Sequence, residues 1–125
     1  MKYKNENRTI KYIKKLLKEH KELPKKIETP ELKVRDFIIV DYRFMHKNKE
    51  VIVEYNGTQH YTPVAFDGDT NKAKKQLEEQ KIRDQWLRQY CKKHNIILLE
   101  IDGRFINGQN IKQYLDLKLR ELKLL

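Results

Sequence analysis

Two carboxylates follow short apolar runs, where a charged side chain is unexpected. Asp41 follows Ile-Ile-Val, and Glu54 follows Val-Ile-Val. A carboxylate in such a position costs stability unless it is paired or holds a metal ion. Because side chains alternate along a strand, Glu54 and Asn56 share one face, with Tyr55 on the other. The pattern predicts a cluster of carboxylate and amide oxygens, which are ligands that Mg²⁺ or Mn²⁺ prefers.

The runs that carry these carboxylates are predicted to be neighbouring strands. Residues 37–44 and 51–55 are rich in β-branched and aromatic side chains, and the charged segment 45–50 between them is typical of a turn. If the two strands form a hairpin, Asp41 can lie across from Glu54. Asp36 is the alternative to Asp41, but it precedes its apolar run, which favours a charge at the entry to the strand.

The string from residue 54 to residue 61, Glu-Tyr-Asn-Gly-Thr-Gln-His-Tyr, makes this site more specific. Together with Asp41 it resembles the PD-(D/E)XK nuclease superfamily. It is similar to the branch of small phage and bacterial nucleases related to the very-short-patch-repair endonucleases. The resemblance covers roughly residues 5–102. Two residues depart from the family pattern, because Val40 stands for its Pro and Asn56 for its Lys.

The resemblance implies a metal site with four contributors. Asp41 and Glu54 would be direct ligands of Mg²⁺ or Mn²⁺, and the backbone carbonyl of Tyr55 would be a third. Glu6, in the first turn of an N-terminal helix, would bind through water or to a second metal ion. The alternative for Glu6 is a carboxylate favoured there by the helix dipole.

The remaining catalytic candidates could take over the role of the family's Lys, whose position is held by Asn56. In the related branch, a Gln-His pair after the strand accompanies the loss of that Lys, and Gln59 and His60 match it. His60 would act as general base, or as a cation that stabilises the transition state. Asn56 and Gln59 can only orient water or phosphate, because neither titrates. Lys81 could supply the missing cation, and the alternative is an ordinary i,i+3 surface pair of Lys81 with Asp84.

The order of predicted elements defines the fold class. Helices are predicted over residues 5–22, 72–94 and 109–124, a buried strand over 96–101, and an irregular segment or edge strand over 25–35. The helix at 72–94 would join parallel strands. We predict one domain over residues 1–125 of class α/β, a mixed central sheet flanked by helices with an αβββαβ core.

The overall composition indicates which kinds of partner and which cellular location we expect. The net charge of +10 and the pI near 9.6 favour a polyanion such as DNA. A single cysteine, Cys91, excludes an internal disulfide and suits a reducing cytoplasm. The abundance of Lys, Asn, Ile and Tyr suggests an AT-rich genome, such as that of a phage or a low-GC bacterium, so we expect the cytoplasm of a bacterial cell. The absence of a long apolar run predicts no signal peptide and no membrane partner. Apolar residues beyond the main stripe of the last helix could support a homodimer.

These inferences lead to one predicted function and one alternative. The predicted function is a metal-dependent DNA endonuclease that hydrolyses phosphodiester bonds and needs no small-molecule cofactor. Its substrate could be a junction, a mismatch or a specific site. The alternative is a catalytically inactive nucleic-acid-binding module that retains the nuclease fold, and Asn56 is the residue in its favour.

Overall fold

The computed structural model describes residues 4–29, 36–57 and 70–125. In these ranges the chain forms three α-helices, six β-strands and a short 3₁₀ helix over Gly103–Phe105. The elements are α1 (Lys4–Leu16), β1 (Lys21–Glu22), β2 (Lys26–Glu28), β3 (Phe37–Ile39), β4 (Tyr42–His46), β5 (Lys49–Asn56), α2 (Thr70–Lys93), β6 (Ile97–Asp102) and α3 (Ile111–Glu121).

The main sheet has four strands in the order β1-β4-β5-β6. Strand β4 pairs antiparallel with β1 and β5, whereas β5 and β6 are parallel. Strands β2 and β3 form a separate antiparallel pair. Because α2 lies between β5 and β6 in the chain, the predicted crossover helix is confirmed. The predicted fold class, α/β with a mixed sheet flanked by helices, is confirmed as well.

Apolar side chains cover both faces of the main sheet. Val51 and Val53 belong to a core shared with α1 and α3. Ile52, which points the other way, belongs to a second core with α2 and the β2-β3 pair. A strand covered on both faces carries an almost continuous apolar run, which explains the sequence of β5.

The predicted continuous strand over residues 37–44 is wrong, because the chain changes sheets at residues 40 and 41. Ile38 and Val40 pack in the core beside α2, whereas Tyr42 and Phe44 pack in the core beside α1 and α3. The Val40 amide donates to the Lys25 carbonyl at 3.0 Å, which ties the end of β3 to the segment before β2. The break leaves residue 41 in a bend between the two sheets.

The predicted turn over residues 45–50 is also too long. The turn consists of Lys47 and Asn48, and both have positive φ, 49° and 66°. Two consecutive residues of this kind match the right-handed twist of an antiparallel hairpin. Met45 and Glu50 are paired across the hairpin and belong to its strands.

The first helix ends at Leu16 and not at residue 22 as predicted. Residues 18–22, Lys-Glu-His-Lys-Glu, contain no apolar side chain that could hold another helical turn against the core. Lys21 and Glu22 pair instead with Met45 and Phe44 at the edge of the main sheet. In the irregular segment predicted over 25–35, an edge strand is found at Lys26–Glu28.

Helix α2 is the longest helix, yet its composition is strongly polar. In the part of the chain that the structure describes, none of the helices combines the length and apolar character that a bilayer crossing requires.

Candidate active site

The hairpin brings Asp41 and Glu54 to one end of the main sheet. The β4-β5 register ends with Tyr42 opposite Val53, and Asp41 and Glu54 are the next residues along the two chain segments. Asp41 Oδ2 accepts a hydrogen bond from the Tyr55 amide at 2.6 Å. The Asp41 carboxyl group also lies close enough to that of Glu54 to raise its pKa.

Glu6 reaches the same cluster from the first turn of α1. Asp41 lies beside both Glu6 and Glu54 and raises the pKa of each, so it is the central member of three neighbouring carboxyl groups. Burial and the proximity of Asp41 raise the pKa of Glu6 to about 7, and Lys25 opposes this rise. Burial is also the main reason that the pKa of Glu54 is raised to about 8. Crowded carboxyl groups of this kind retain protons unless a cation compensates them.

Arg83 approaches the cluster from α2. Its side chain is buried, and Nη2 lies 2.5 Å from Glu54 Oε1. That contact is an ion pair outside hydrogen-bond geometry, because Oε1 is buried without a hydrogen-bond donor in the described chain. Nη2 also donates to the Ile39 carbonyl at 3.1 Å, and Nη1 donates to Asp84 Oδ1 at 3.2 Å. The Ile39 carbonyl and the Asp84 carboxylate thus accept hydrogen bonds from the guanidinium and hold it beside Glu54.

The other residues at the end of β5 lie on the predicted sides. Asn56 is 7% exposed and shares the strand face of Glu54, whereas Tyr55 is half-buried on the opposite face. Gly103 closes this end, because a Cβ at that position would lie 2.6 Å from the Tyr55 hydroxyl oxygen and 2.9 Å from the Asn56 carbonyl oxygen. The close approach requires glycine. This close approach also holds the end of β5 against the 3₁₀ helix that begins at Gly103, directly after β6.

The predicted substitute for the missing Lys lies elsewhere on α2. Lys81 is exposed, and the cation that contacts Glu54 is Arg83, two residues further along the helix. Gln59 and His60 lie outside the described residues, so their predicted roles stay predictions.

Arg83 is the residue that the sequence reasoning missed, although a signal exists. Leu87 and Cys91 are buried four and eight residues after it, on the face of α2 that packs against the sheet. Extending this spacing towards the N-terminus leads to Arg83. A charged residue at a core position of a helix indicates a buried partner of opposite charge.

The chemistry of the cluster suits a hard divalent cation. Carboxylate oxygens from Glu6, Asp41 and Glu54 are the ligand type of Mg²⁺ and Mn²⁺, and their mutual repulsion would be relieved by such an ion. Within residues 4–29, 36–57 and 70–125, no group of three or more His, Cys, Asp or Glu side chains is already arranged to hold a metal ion. Arg83 engages one oxygen of Glu54 instead.

The fold and the cluster together define the class of the protein: an α/β protein with a mixed sheet and a cluster of carboxyl groups at one end of it. No family model, curated protein or solved structure matches the chain.

Proposed function

We propose that the protein is a metal-dependent nuclease of the PD-(D/E)XK type that hydrolyses phosphodiester bonds in DNA. The observation that carries the proposal is the juxtaposition of Glu6, Asp41 and Glu54 with the buried Arg83 at one end of the sheet. The net charge of +10 supports a polyanionic substrate. We further propose that the protein works in the bacterial cytoplasm. A homodimer could form through α3, where Leu117 is 63% exposed.

Each member of the cluster has a role in this proposal. Asp41 and Glu54 would hold Mg²⁺ or Mn²⁺, and Glu6 would assist through water or a second ion. The ion, when bound, supplies an acidic water and neutralises charge on the phosphate. The Tyr55 amide orients Asp41 through its 2.6 Å hydrogen bond. Such orientation matters because ligands held in advance need no reorganisation on binding.

Arg83 would supply the positive charge that the family obtains from Lys. A guanidinium remains charged when buried, so it can stabilise negative charge at the scissile phosphate at any working pH. Its contact with Glu54 would also keep that carboxyl group in one orientation. His60 remains the proposed general base, and Asn56 and Gln59 the residues that orient water or phosphate.

The second candidate is a nucleic-acid-binding module without activity. The same Arg83–Glu54 ion pair favours it, because a guanidinium that neutralises Glu54 competes with a metal ion for that oxygen. Asn56 favours it as well, since an amide cannot replace the chemistry of Lys.

A cleavage assay separates the two candidates. Plasmid, mismatched duplex and four-way junction DNA are incubated with the protein in Mg²⁺, in Mn²⁺ and in EDTA. The nuclease requires cleavage with metal that disappears in EDTA. If neither metal supports cleavage of any of the three substrates, the nuclease proposal is refuted and the binding module is favoured.

Two variants test whether the cluster is the site. Asp41→Asn and Glu54→Gln keep the side-chain shape and remove the charge, so we expect cleavage to be lost while DNA affinity is kept or raised. Glu100→Gln is the matched control, because Glu100 is the register partner of Glu54 on β6 and is paired with Arg88. Equal loss in all three variants would indicate a general effect of charge or folding.

A further inference from the structure

A cleft with a basic lining adjoins the carboxyl cluster. It has a volume of about 350 Å³ and lies between α1, β1 and the start of β4. Lys11, Lys14 and Lys25 line it, with Glu22 as the acidic member. Three ammonium groups against one carboxylate give the cleft a net positive charge, which favours an anion.

Tyr42 contributes a buried polar group to this cleft. Its side chain is 1% exposed, and the hydroxyl has no hydrogen-bond partner among the residues that the structure describes. Lys14 Nζ lies 5.2 Å from the centroid of its ring. Burial raises the pKa of Tyr42, with a smaller effect of Glu22, so the hydroxyl stays protonated. A buried hydroxyl without a partner costs stability, which a ligand that accepts its hydrogen bond would recover.

The chain connects the cleft directly to the carboxyl cluster. Tyr42 follows Asp41, and Asn7, which also lines the cleft, follows Glu6. Lys25 acts electrostatically on Glu6, so it belongs to the surroundings of both. A ligand in the cleft would therefore lie near Glu6, the member of the carboxyl cluster on which Lys25 acts.

We propose that this cleft binds a backbone phosphate of the DNA strand, next to the phosphate that meets Glu6, Asp41 and Glu54. The choice of DNA as the ligand rests on the proposed function. Lys11, Lys14 and Lys25 supply charge, and the Tyr42 hydroxyl donates a hydrogen bond. The contact fixes the register of the strand across the site, as phosphate contacts do in protein–DNA complexes.

The test compares two pairs of lysines on the same segment. Lys11→Gln/Lys14→Gln removes two charges from the cleft, whereas Lys15→Gln/Lys18→Gln removes two charges from exposed positions that do not line it. Affinity for a labelled DNA duplex is measured by fluorescence anisotropy in EDTA over a series of NaCl concentrations. EDTA prevents cleavage, so the experiment reports binding alone.

For the cleft pair we expect an affinity loss of about tenfold and a fall of about 0.9 in the slope of log K against log [NaCl], because one phosphate contact is lost. For the control pair we expect less than a twofold loss. Tyr42→Phe should weaken binding by about threefold with an unchanged slope, because the hydroxyl is uncharged. Equal losses in the two lysine pairs, or wild-type affinity in Tyr42→Phe, would overturn the proposal.

A second measurement distinguishes DNA from free phosphate as the ligand. Inorganic phosphate is titrated at constant ionic strength while the melting temperature is followed. If it stabilises the wild type but not the cleft pair, while both bind DNA equally, the cleft is a site for free phosphate and the proposal is wrong.

The outcomes for the cleft and for the nuclease are separate. If the wild type cleaves DNA and the two lysine-pair variants bind DNA equally well, the cleft is not a phosphate site, and the proposed nuclease activity still stands. Selective loss of DNA binding in the cleft pair, without cleavage by the wild type in either metal, would refute the nuclease and leave the cleft as a DNA contact.

Discussion

Replacement of Glu54 by Gln should stabilise the metal-free protein more as the pH rises. Burial raises the pKa of Glu54 from its ordinary 4.5 to about 8, against the attraction of Arg83. The folded chain therefore retains a proton that the unfolded chain releases. The stabilisation from this proton is complete below pH 4.5 and is lost as the pH rises through 8.

The magnitude follows from this pKa difference. Relative to low pH, where Glu54 is protonated in both states, the titration of Glu54 lowers the free energy of unfolding by about 4 kcal/mol at pH 8 and by about 1 kcal/mol at pH 5. Gln matches the shape of Glu and offers an amide oxygen to Arg83, so the substitution removes mainly the charge. The free energy of unfolding of Glu54→Gln, relative to that of the wild type, should increase by about 3 kcal/mol between pH 5 and pH 8.

The assay is urea denaturation in EDTA at the two pH values. Trp86 packs against the core beside α2 and provides the fluorescence signal. Glu100→Gln is the control, and we expect it to change the free energy of unfolding by no more than about 1 kcal/mol, because its ion pair with Arg88 is partly exposed. A constant difference between Glu54→Gln and the wild type would refute the reasoning. It would mean that Arg83 keeps Glu54 ionised, as in a purely structural ion pair.

Three further predictions concern the same end of the sheet. Mg²⁺ should raise the melting temperature more at pH 8 than at pH 6, because the ligands must be ionised, and Asp41→Asn should abolish this effect in a thermal scan. Arg83→Met should lower the free energy of unfolding in urea by about 3 kcal/mol at pH 8, because Glu54, Asp84 and the Ile39 carbonyl lose their contacts with the buried guanidinium, and a neutral effect would contradict these contacts. Gly103→Ala should cost about 1–3 kcal/mol through overlap with the Tyr55 hydroxyl. In Gly108→Ala the added Cβ meets only the flexible end of Arg8, so a similar loss there would show that the overlap is not the cause.

The paired strands and the crossover could be predicted from local patterns. The apolar runs that precede Asp41 and Glu54, with a polar segment between them, were enough to predict a hairpin and the approach of the two carboxyl groups. A long helical pattern before a buried strand was enough to predict the parallel pairing of β5 with β6. These features depend on periodicity and on contacts between neighbours in the sequence.

The change of sheets at residue 41 could not be predicted in the same way. Ile38, Val40, Tyr42 and Phe44 are all buried, so the alternation continues unbroken through the bend. Periodicity reports that a side chain is buried but not which core receives it. The two cores are distinguished only by the packing of α2 and α3, which are distant in the sequence.

Arg83 was missed for a related reason. A charged residue in a polar helix is normally exposed, and the many charges of α2 concealed the two that are buried, Arg83 and Asp84. Its partners, Glu54 and the Ile39 carbonyl, come from strands far away in the sequence. Contacts of this kind become visible only in three dimensions.

The turn at Lys47 and Asn48 has a consequence far from its own surroundings. Asp41 and Glu54 stand at equal numbers of residues from the hairpin tip, so a loop longer by one residue would shift one strand against the other and turn one carboxyl group to the opposite face. A bulge elsewhere in the hairpin would be needed to compensate. Loop length at an exposed tip therefore governs whether the acidic groups meet at all, although the tip is six residues from each of them along the chain.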